Sequence, residues 1–286
     1  MNLRIEHLEY TYGAGTVFEK NALKDVHLEI PEGQFVGVIG HTGSGKSTLM
    51  QHLNGLIRPT GGTIYADEED IFREGSDMKK LRSRVGLVFQ YPEHQLFEVS
   101  VLADVQFGPK NLGLSQEEML ERAVEALNMV GLDKSFYDKS PFELSGGQKR
   151  RVAIAGILAM KPEVLILDEP TAGLDPKGRD EILDLVAQLH EKQHMTILLV
   201  SHSMEDVANY VDRIIVMNKG RVMLDDEPAR VFAHRKELEE VGLAAPQVTY
   251  VCQQLKEDGW DISDSVTTIA EAADEIARVL KTCSVE

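Results

Sequence analysis

Tryptophan occurs once and cysteine only twice in 286 residues, and no long apolar run is present. The longest apolar stretches, such as residues 152–160, fall far short of the roughly 20 residues a spanning helix needs. Cys252 and Cys283 are too few for a disulfide framework and fit a reducing compartment. The first residues, Met1 to Glu6, hold no apolar signal-peptide core. Positive charge is also short: 30 Lys and Arg stand against 47 Asp and Glu, a formal net charge of −17. So acidic a chain is poorly suited to bind duplex nucleic acid, which is held through cationic contacts to phosphate. An anionic membrane surface would repel it, so membrane association is expected to run through a protein partner. What is present is a 43% hydrophobic content, enough for a core. The length favours one domain with an added piece, or two small ones. The expectation is a soluble, cytosolic, globular protein.

Alternating polarity at Leu3, Ile5 and Leu8, then at Val26, Leu28 and Ile30, predicts half-buried antiparallel strands either side of a turn with Gly13 and Gly15. Residues 34–39 form an apolar strand that enters a glycine-rich loop, and residues 47–56 read as a helix. Later strands are expected at residues 164–167 and 196–201, with a closing hairpin at 213–217 and 221–224 around Asn218, Lys219 and Gly220. Residues 91–163 are mostly helical in pattern and read as a subdomain hung on the α/β core. From about 226 the character changes. Residues 225–286 carry 14 acidic and 6 basic residues. Val248, Val251, Cys252 and Leu255 share one helical face there. Thr268 and Glu271 have capping-box spacing ahead of Ile269, Ala272, Ala273, Ile276 and Leu280. No internal repeat or low-complexity tract is evident.

Gly40, His41, Thr42, Gly43, Ser44, Gly45, Lys46 and Ser47 fit G-x-x-x-x-G-K-[ST] in full, with Thr48 next in the helix. The glycines let successive backbone N–H groups wrap a phosphate, and the following helix adds its positive end. Lys46 would reach the β- and γ-phosphates, and the Ser47 hydroxyl would ligate Mg²⁺. Asp168 and Glu169 close the apolar run 164–167. Asp168 would support the Mg²⁺ shell, and Glu169 could polarise a water for attack on the γ-phosphate. Two acids at an exposed strand end are common by themselves; the phosphate loop upstream gives this pair its meaning.

Leu144, Ser145, Gly146, Gly147 and Gln148 stand between these motifs, 21 residues ahead of Glu169, and open a helix. The combination makes residues 1–225 resemble the ATP-binding-cassette ATPases. The resemblance implies an α/β P-loop NTPase core with an antiparallel β subdomain, a helical subdomain at about 91–163 and a C-terminal extension at 226–286. It implies ATP and Mg²⁺ as cofactors. It also implies a head-to-tail dimer, in which Ser145, Gly146, Gly147 and Gln148 meet the γ-phosphate of the facing subunit. Gln90 resembles the glutamine that contacts Mg²⁺ and the attacking water. Asp175 resembles the aspartate of the loop that crosses the dimer interface, and His202 the switch histidine. Tyr12 resembles the aromatic that stacks on adenine, with Tyr10 and Phe18 as alternatives.

Long coiled coils, nucleic-acid-binding inserts and a second cassette are not found, which leaves the detachable ATPase of a membrane transporter. The segment Phe89 to Phe97 is similar to one in energy-coupling-factor (ECF) transporters, where it helps form the groove for the transmembrane T subunit. Gln95, Leu96 and Phe97 are then contact candidates; packing of Leu96 and Phe97 inside the helical subdomain is the other reading. The tail resembles the ECF dimerisation extension, and the opening looks most like an A2-type subunit. That resemblance implies an A1-type partner cassette, substrate-binding S subunits, uptake of vitamins or other micronutrients, and residence at the cytoplasmic face of the membrane. The ATPase of an ordinary transporter of the same superfamily and a soluble ATP-switched regulatory dimer are the rivals.

Overall fold

The computed structural model describes residues 1–283; Cys252 is buried and reduced, while the side chain of Cys283 lies outside the described residues. The chain opens with β1 (Leu3–Tyr12), β2 (Lys20–Ile30), β3 (Phe35–Ile39), α1 (Lys46–Leu53), β4 (Gly61–Ala66), β5 (Glu69–Asp70), α2 (Met78–Arg84) and β6 (Val85–Val88). A short 3-10 helix, Pro92–Gln95, leads to α3 (Val101–Leu112), α4 (Gln116–Met129) and α5 (Gly146–Leu158). Next come β7 (Val164–Asp168), α6 (Pro176–Gln193), β8 (Thr196–Val200), α7 (Met204–Tyr210), β9 (Arg213–Asn218) and β10 (Arg221–Asp226). Four helices follow: α8 (Pro228–Ala233), α9 (Arg235–Glu240), α10 (Gln247–Glu257) and α11 (Ile269–Cys283).

Every residue of β3, β7 and β8 is buried. Continuous apolar runs of this kind suit parallel strands covered on both faces. The period of two divides them: Phe35, Leu165, Leu167, Ile197 and Leu199 face one core cluster, whereas Val36, Val38, Val164, Ile166 and Leu198 face another. The first cluster is closed by helices α3 to α8, the second by α1 and the antiparallel sheet β2-β1-β4-β5. The larger sheet has the order β10-β9-β3-β8-β7-β6. Its strands β3, β8, β7 and β6 are mutually parallel neighbours, so their carboxyl ends share one edge. Ligands of open α/β sheets bind at such an edge.

The expected strands, hairpin and helices are present, with three differences. α1 ends at Leu53, because the Asn54 amide donates to the Val85 carbonyl and Gly55 turns the chain at φ 69°. In the tail, Val231, Phe232 and Leu238 of α8 and α9 bury themselves in the large cluster, and only the segment beyond them has a cluster of its own. The apolar stripe of the last helix is also turned from the expected one. Ala272 is buried and Ile276 half-buried, but Ile269, Ala273 and Leu280 are exposed and Val279 takes the inner place. The cause is the connection between α10 and α11, which folds back and fills the space with Ile262 and Val266. Val251 likewise faces solvent.

Thr268 Oγ1 accepts from the Glu271 N–H, and the Glu271 carboxylate accepts from the Thr268 N–H, a reciprocal cap on α11. Thr268→Ala is expected to destabilise this segment by about 1 kcal/mol. Amide exchange in the first turn of α11 should quicken, with nucleotide binding unchanged.

Candidate active site

Residues 40–47 follow β3 directly and bend through left-handed backbone. Gly40 has φ 153° and Gly45 φ 108°. A Cβ at Gly40 would lie 2.3 Å from the Met217 carbonyl oxygen, and one at Gly45 would lie 2.7 Å from that of Ala22. No other residue fits either position. Lys46 is buried, and its Nζ donates to the carbonyls of Gly40 at 2.7 Å and His41 at 3.2 Å. Burial holds its pKa below the ordinary lysine value, opposed by the negative charges of Glu169 and Asp168. His41 reaches Asn218 through Nε2 and the Thr42 carbonyl through Nδ1. Thr42, Gly43 and Ser47 are exposed at the rim. Tyr12 is a half-exposed ring whose hydroxyl lies 3.2 Å from Thr48 Oγ1. Tyr10 stacks edge-on against Tyr12 and His52, while Phe18 is 85% exposed.

The adjacent strands deliver the remaining groups. Asp168 ends β7, buried; desolvation raises its pKa, partly offset by a hydrogen bond with Ser47. Its Oδ1 and the hydroxyl of Ser44 are buried without a partner. Orphaned acceptors of this kind are rare in folded proteins, and a hard divalent cation beside a phosphate would satisfy them. Glu169 turns away from β7 at φ 52°, its N–H bonded to the Val200 carbonyl of β8. That turn aims its carboxylate at two neighbours: Gln90 Nε2 donates to Oε2 at 2.6 Å, and His202 Nε2 lies 2.6 Å from Oε1. Gln90, Glu169 and His202, from the ends of β6, β7 and β8, thus form one hydrogen-bonded group.

Ser145, Gly146, Gly147 and Gln148 stand outside these contacts. Ser145 caps α5, its Oγ accepting from the Gln148 N–H while its own N–H donates to Gln148 Oε1. A Cβ at Gly146 or Gly147 would meet nothing within 4 Å. An open helix N-terminus of this kind can receive an anion from a facing molecule. Asp175 caps α6 by accepting from the Gly178 N–H at 2.7 Å.

The chain beyond Gln90 runs into a groove of about 640 Å³, lined by Gln95, Leu96, Phe97, Phe107 and Met160 among others. The two expected anchors divide: Leu96 is 8% exposed and packs inward, whereas Phe97 is 57% exposed and meets Phe107 edge-on at 4.9 Å. Buried Asp104 holds the groove's lip by accepting from the Phe97 and Glu98 N–H groups.

Two groups went unnoticed in the sequence. Arg150, 1% exposed, donates to the Pro170 and Ala172 carbonyls and to Glu93. Arg179 binds Asp206 and Ser203, joining α6 to α7. A signal existed for Arg150: it stands four and eight residues ahead of Ile154 and Leu158, on the buried stripe of α5. A third cluster, His7, Asp25 and His27 on β1 and β2, is exposed, and both rings bond to one Asp25 oxygen.

Replacing Asp168 tests the buried charge. A raised carboxylate pKa means that the folded state binds the proton more tightly than the unfolded one. The ionised group therefore weakens the nucleotide-free fold as pH rises through its folded pKa. Asp168→Asn should stabilise the nucleotide-free protein by about 1 kcal/mol at neutral pH, and by less in acid. Thermal unfolding at two pH values checks this, and ATP hydrolysis should be lost in the same variant.

Comparison with known proteins agrees with this geometry. A family model described as ABC transporter matches residues 23–172. The energy-coupling factor transporter ATP-binding protein EcfA2 of Clostridium tetani is 59% identical over 280 residues, covering 98% of this chain and 97% of the relative. The EcfA2 protein of Clostridium acetobutylicum is 56% identical, covering 98% and 99%. Among solved structures, CbiO1 of Clostridium perfringens, part of an ABC transporter complex, superposes with TM-score 0.74 at 40% identity, covering 89% of this chain and 98% of that one. A dimeric ATP-binding cassette in a post-hydrolysis state with ADP and phosphate gives 0.70 at 34% identity, covering 79% and 98%. The P-loop, the buried Asp168 and these likenesses over nearly the whole length leave one conclusion: the chain belongs to the ABC transporter ATPases, within the branch of energy-coupling factor ATP-binding proteins.

Proposed function

We propose that this chain is the A2-type, ATP-hydrolysing subunit of an ECF importer that takes up vitamins or other micronutrients. It works as a peripheral protein at the cytoplasmic face of the membrane, paired with an A1-type cassette and acting through T and S subunits. The hydrogen-bonded group Gln90–Glu169–His202, set beside Lys46 and Asp168, carries the catalytic reading. ATP binds with its phosphates in the loop of residues 40–47, Lys46 on the β- and γ-phosphates and Tyr12 against the adenine. Ser47, Asp168 and Gln90 would hold Mg²⁺, which supplies neutralising charge at the phosphate oxygens. Glu169 takes a proton from a water, whose oxygen attacks the γ-phosphorus as the bond to the β-phosphate oxygen breaks and ADP departs. Gln90 and His202 orient that carboxylate.

The exposed N-terminus of α5 supports the two-cassette reading. Ser145, Gly146, Gly147 and Gln148 close over the partner's ATP, and Asp175 lies at the same seam. The exposed apolar side chains Val251 and Ile269 give the tail a surface for the second cassette. The groove that follows Gln90 in the chain, lined by Gln95, Leu96 and Phe97, receives the T subunit. Among the described residues no helix is long and apolar enough to cross a membrane. Attachment through a protein partner fits that observation.

Two measurements test the proposal. Glu169→Gln should retain ATP binding and lower turnover by about 10²–10⁴; near-normal hydrolysis would remove Glu169 from the mechanism. Phe97→Asp should reduce recovery of a membrane subunit in gentle pull-downs by about tenfold or more, with ATP binding intact.

A further inference from the structure

We infer that Arg150 is a positioning residue that couples the groove following Gln90 in the chain to the segment following Glu169; the inference rests on the docking proposed for that groove. Arg150 is a charged side chain in a place built for an apolar one. It is 1% exposed, on the stripe that continues with Ile154 and Leu158. Its guanidinium is strung between two segments remote in sequence. Nη1 donates to the Pro170 carbonyl at 2.6 Å and the Ala172 carbonyl at 3.0 Å. Nη2 donates to both carboxylate oxygens of Glu93, at 3.1 and 3.0 Å. Nε is buried with no partner, so the head group is engaged only through its two Nη ends.

Glu93 belongs to the 3-10 helix Pro92–Gln95, which runs into the groove wall at Gln95. Pro170 is bonded to Glu169, and Ala172 stands three residues before Asp175. One rigid plane therefore connects the groove helix, the segment carrying the hydrolytic carboxylate and the helix capped by Ser145. Both gripped segments leave their strands through non-glycine residues in left-handed backbone, Tyr91 at φ 56° and Glu169 at φ 52°. Such strained positions persist where the surroundings over-determine them. A buried ion pair is a weak source of stability, and an apolar residue of similar volume usually serves the fold as well. The planar fork does what an apolar residue cannot. It transfers a displacement of Glu93 to Pro170 and Ala172, because its donors cannot move independently.

The test uses the assembled complex and the detached cassette pair side by side. Glu93→Gln, Arg150→Gln and Arg150→Lys are purified in each, with Phe97→Asp as the docking control. The readouts are assembly yield, kcat and KM for ATP, and the change in kcat that the membrane subunits impose. The expected result is normal assembly, detached-pair kcat and KM within about twofold, and an imposed change reduced about tenfold, the scale of coupling within one hydrogen-bond network. Lysine should not rescue, since a point charge cannot span both ends. Should Arg150→Gln fail to fold, Glu93→Gln decides, because Glu93 is partly exposed. Loss of assembly in Glu93→Gln, an equal fall of kcat in both settings, or an unaltered imposed change would each overturn the inference. Normal assembly of Phe97→Asp would instead overturn the docking reading. Failed assembly there, with Glu93→Gln unaltered in every readout, would leave docking standing and remove Arg150 alone.

Discussion

Leu198 sits at the centre of the ladder that holds the site together: it pairs with Val36 of β3 on one side and Ile166 of β7 on the other. All three face the same core cluster and their neighbours along each strand face the other, so a one-residue slip of any strand would exchange the side chains packed into the two cores. Register is fixed by burial, and the positions of the strand ends follow from register. Gly40, Asp168 and His202 are chemical groups placed by the packing of residues that do no chemistry. The same constraint explains why Glu169 can occupy left-handed backbone: its N–H is held by Val200, the last residue of a fully buried strand.

Behind that edge, charged side chains tie together the loops that the strands leave separate. Arg179, four residues beyond Asp175, binds Asp206 and Ser203, which follow His202 closely in sequence. Burial pushes the Asp206 carboxyl up, and the Arg179 guanidinium pulls it back toward the charged form. Arg150 does the corresponding service on the other side of Glu169. The edge is thus a set of short loops cross-braced by two arginines, with Asp104 holding the lip of the adjoining groove. Neither arginine touches Gln90, Glu169 or His202; each joins segments that adjoin that group in the chain.

Local patterns made much of this legible. The phosphate loop, Asp168 with Glu169, and the capping pair Thr268 and Glu271 announce themselves within a few residues, because their chemistry needs fixed spacing along one strand or helix. The parallel strands were equally plain, since burial on both faces leaves uninterrupted apolar runs. The braces were not, because Arg150 and Glu93 lie 57 residues apart and only the fold brings them together. A run of Lys149, Arg150 and Arg151 looks like a solvated face unless helical phase is followed through it. The division between Leu96 and Phe97 also escaped notice: adjacent apolar residues point to opposite sides, and sequence alone does not say which side is covered. The inner face of the last helix is not legible either, because Ile262 and Val266, in a segment without periodicity, decide which of its faces is covered.

The seating of Val231, Phe232 and Leu238 in the large core cluster bears on the order in which the molecule can be completed. Strand β3 and its phosphate loop leave the ribosome early, yet the apolar wall that includes Phe35 and Ile39 is closed by residues some 200 positions later, with Leu243 and Ala245 among them. During vectorial synthesis the half-built core must wait with that face uncovered, a state in which exposed apolar surface invites aggregation. The helices that follow the closing hairpin are therefore the last stones of this core, and a nascent chain arrested before them holds residues 40–47, Asp168, Glu169 and His202 with that wall still open.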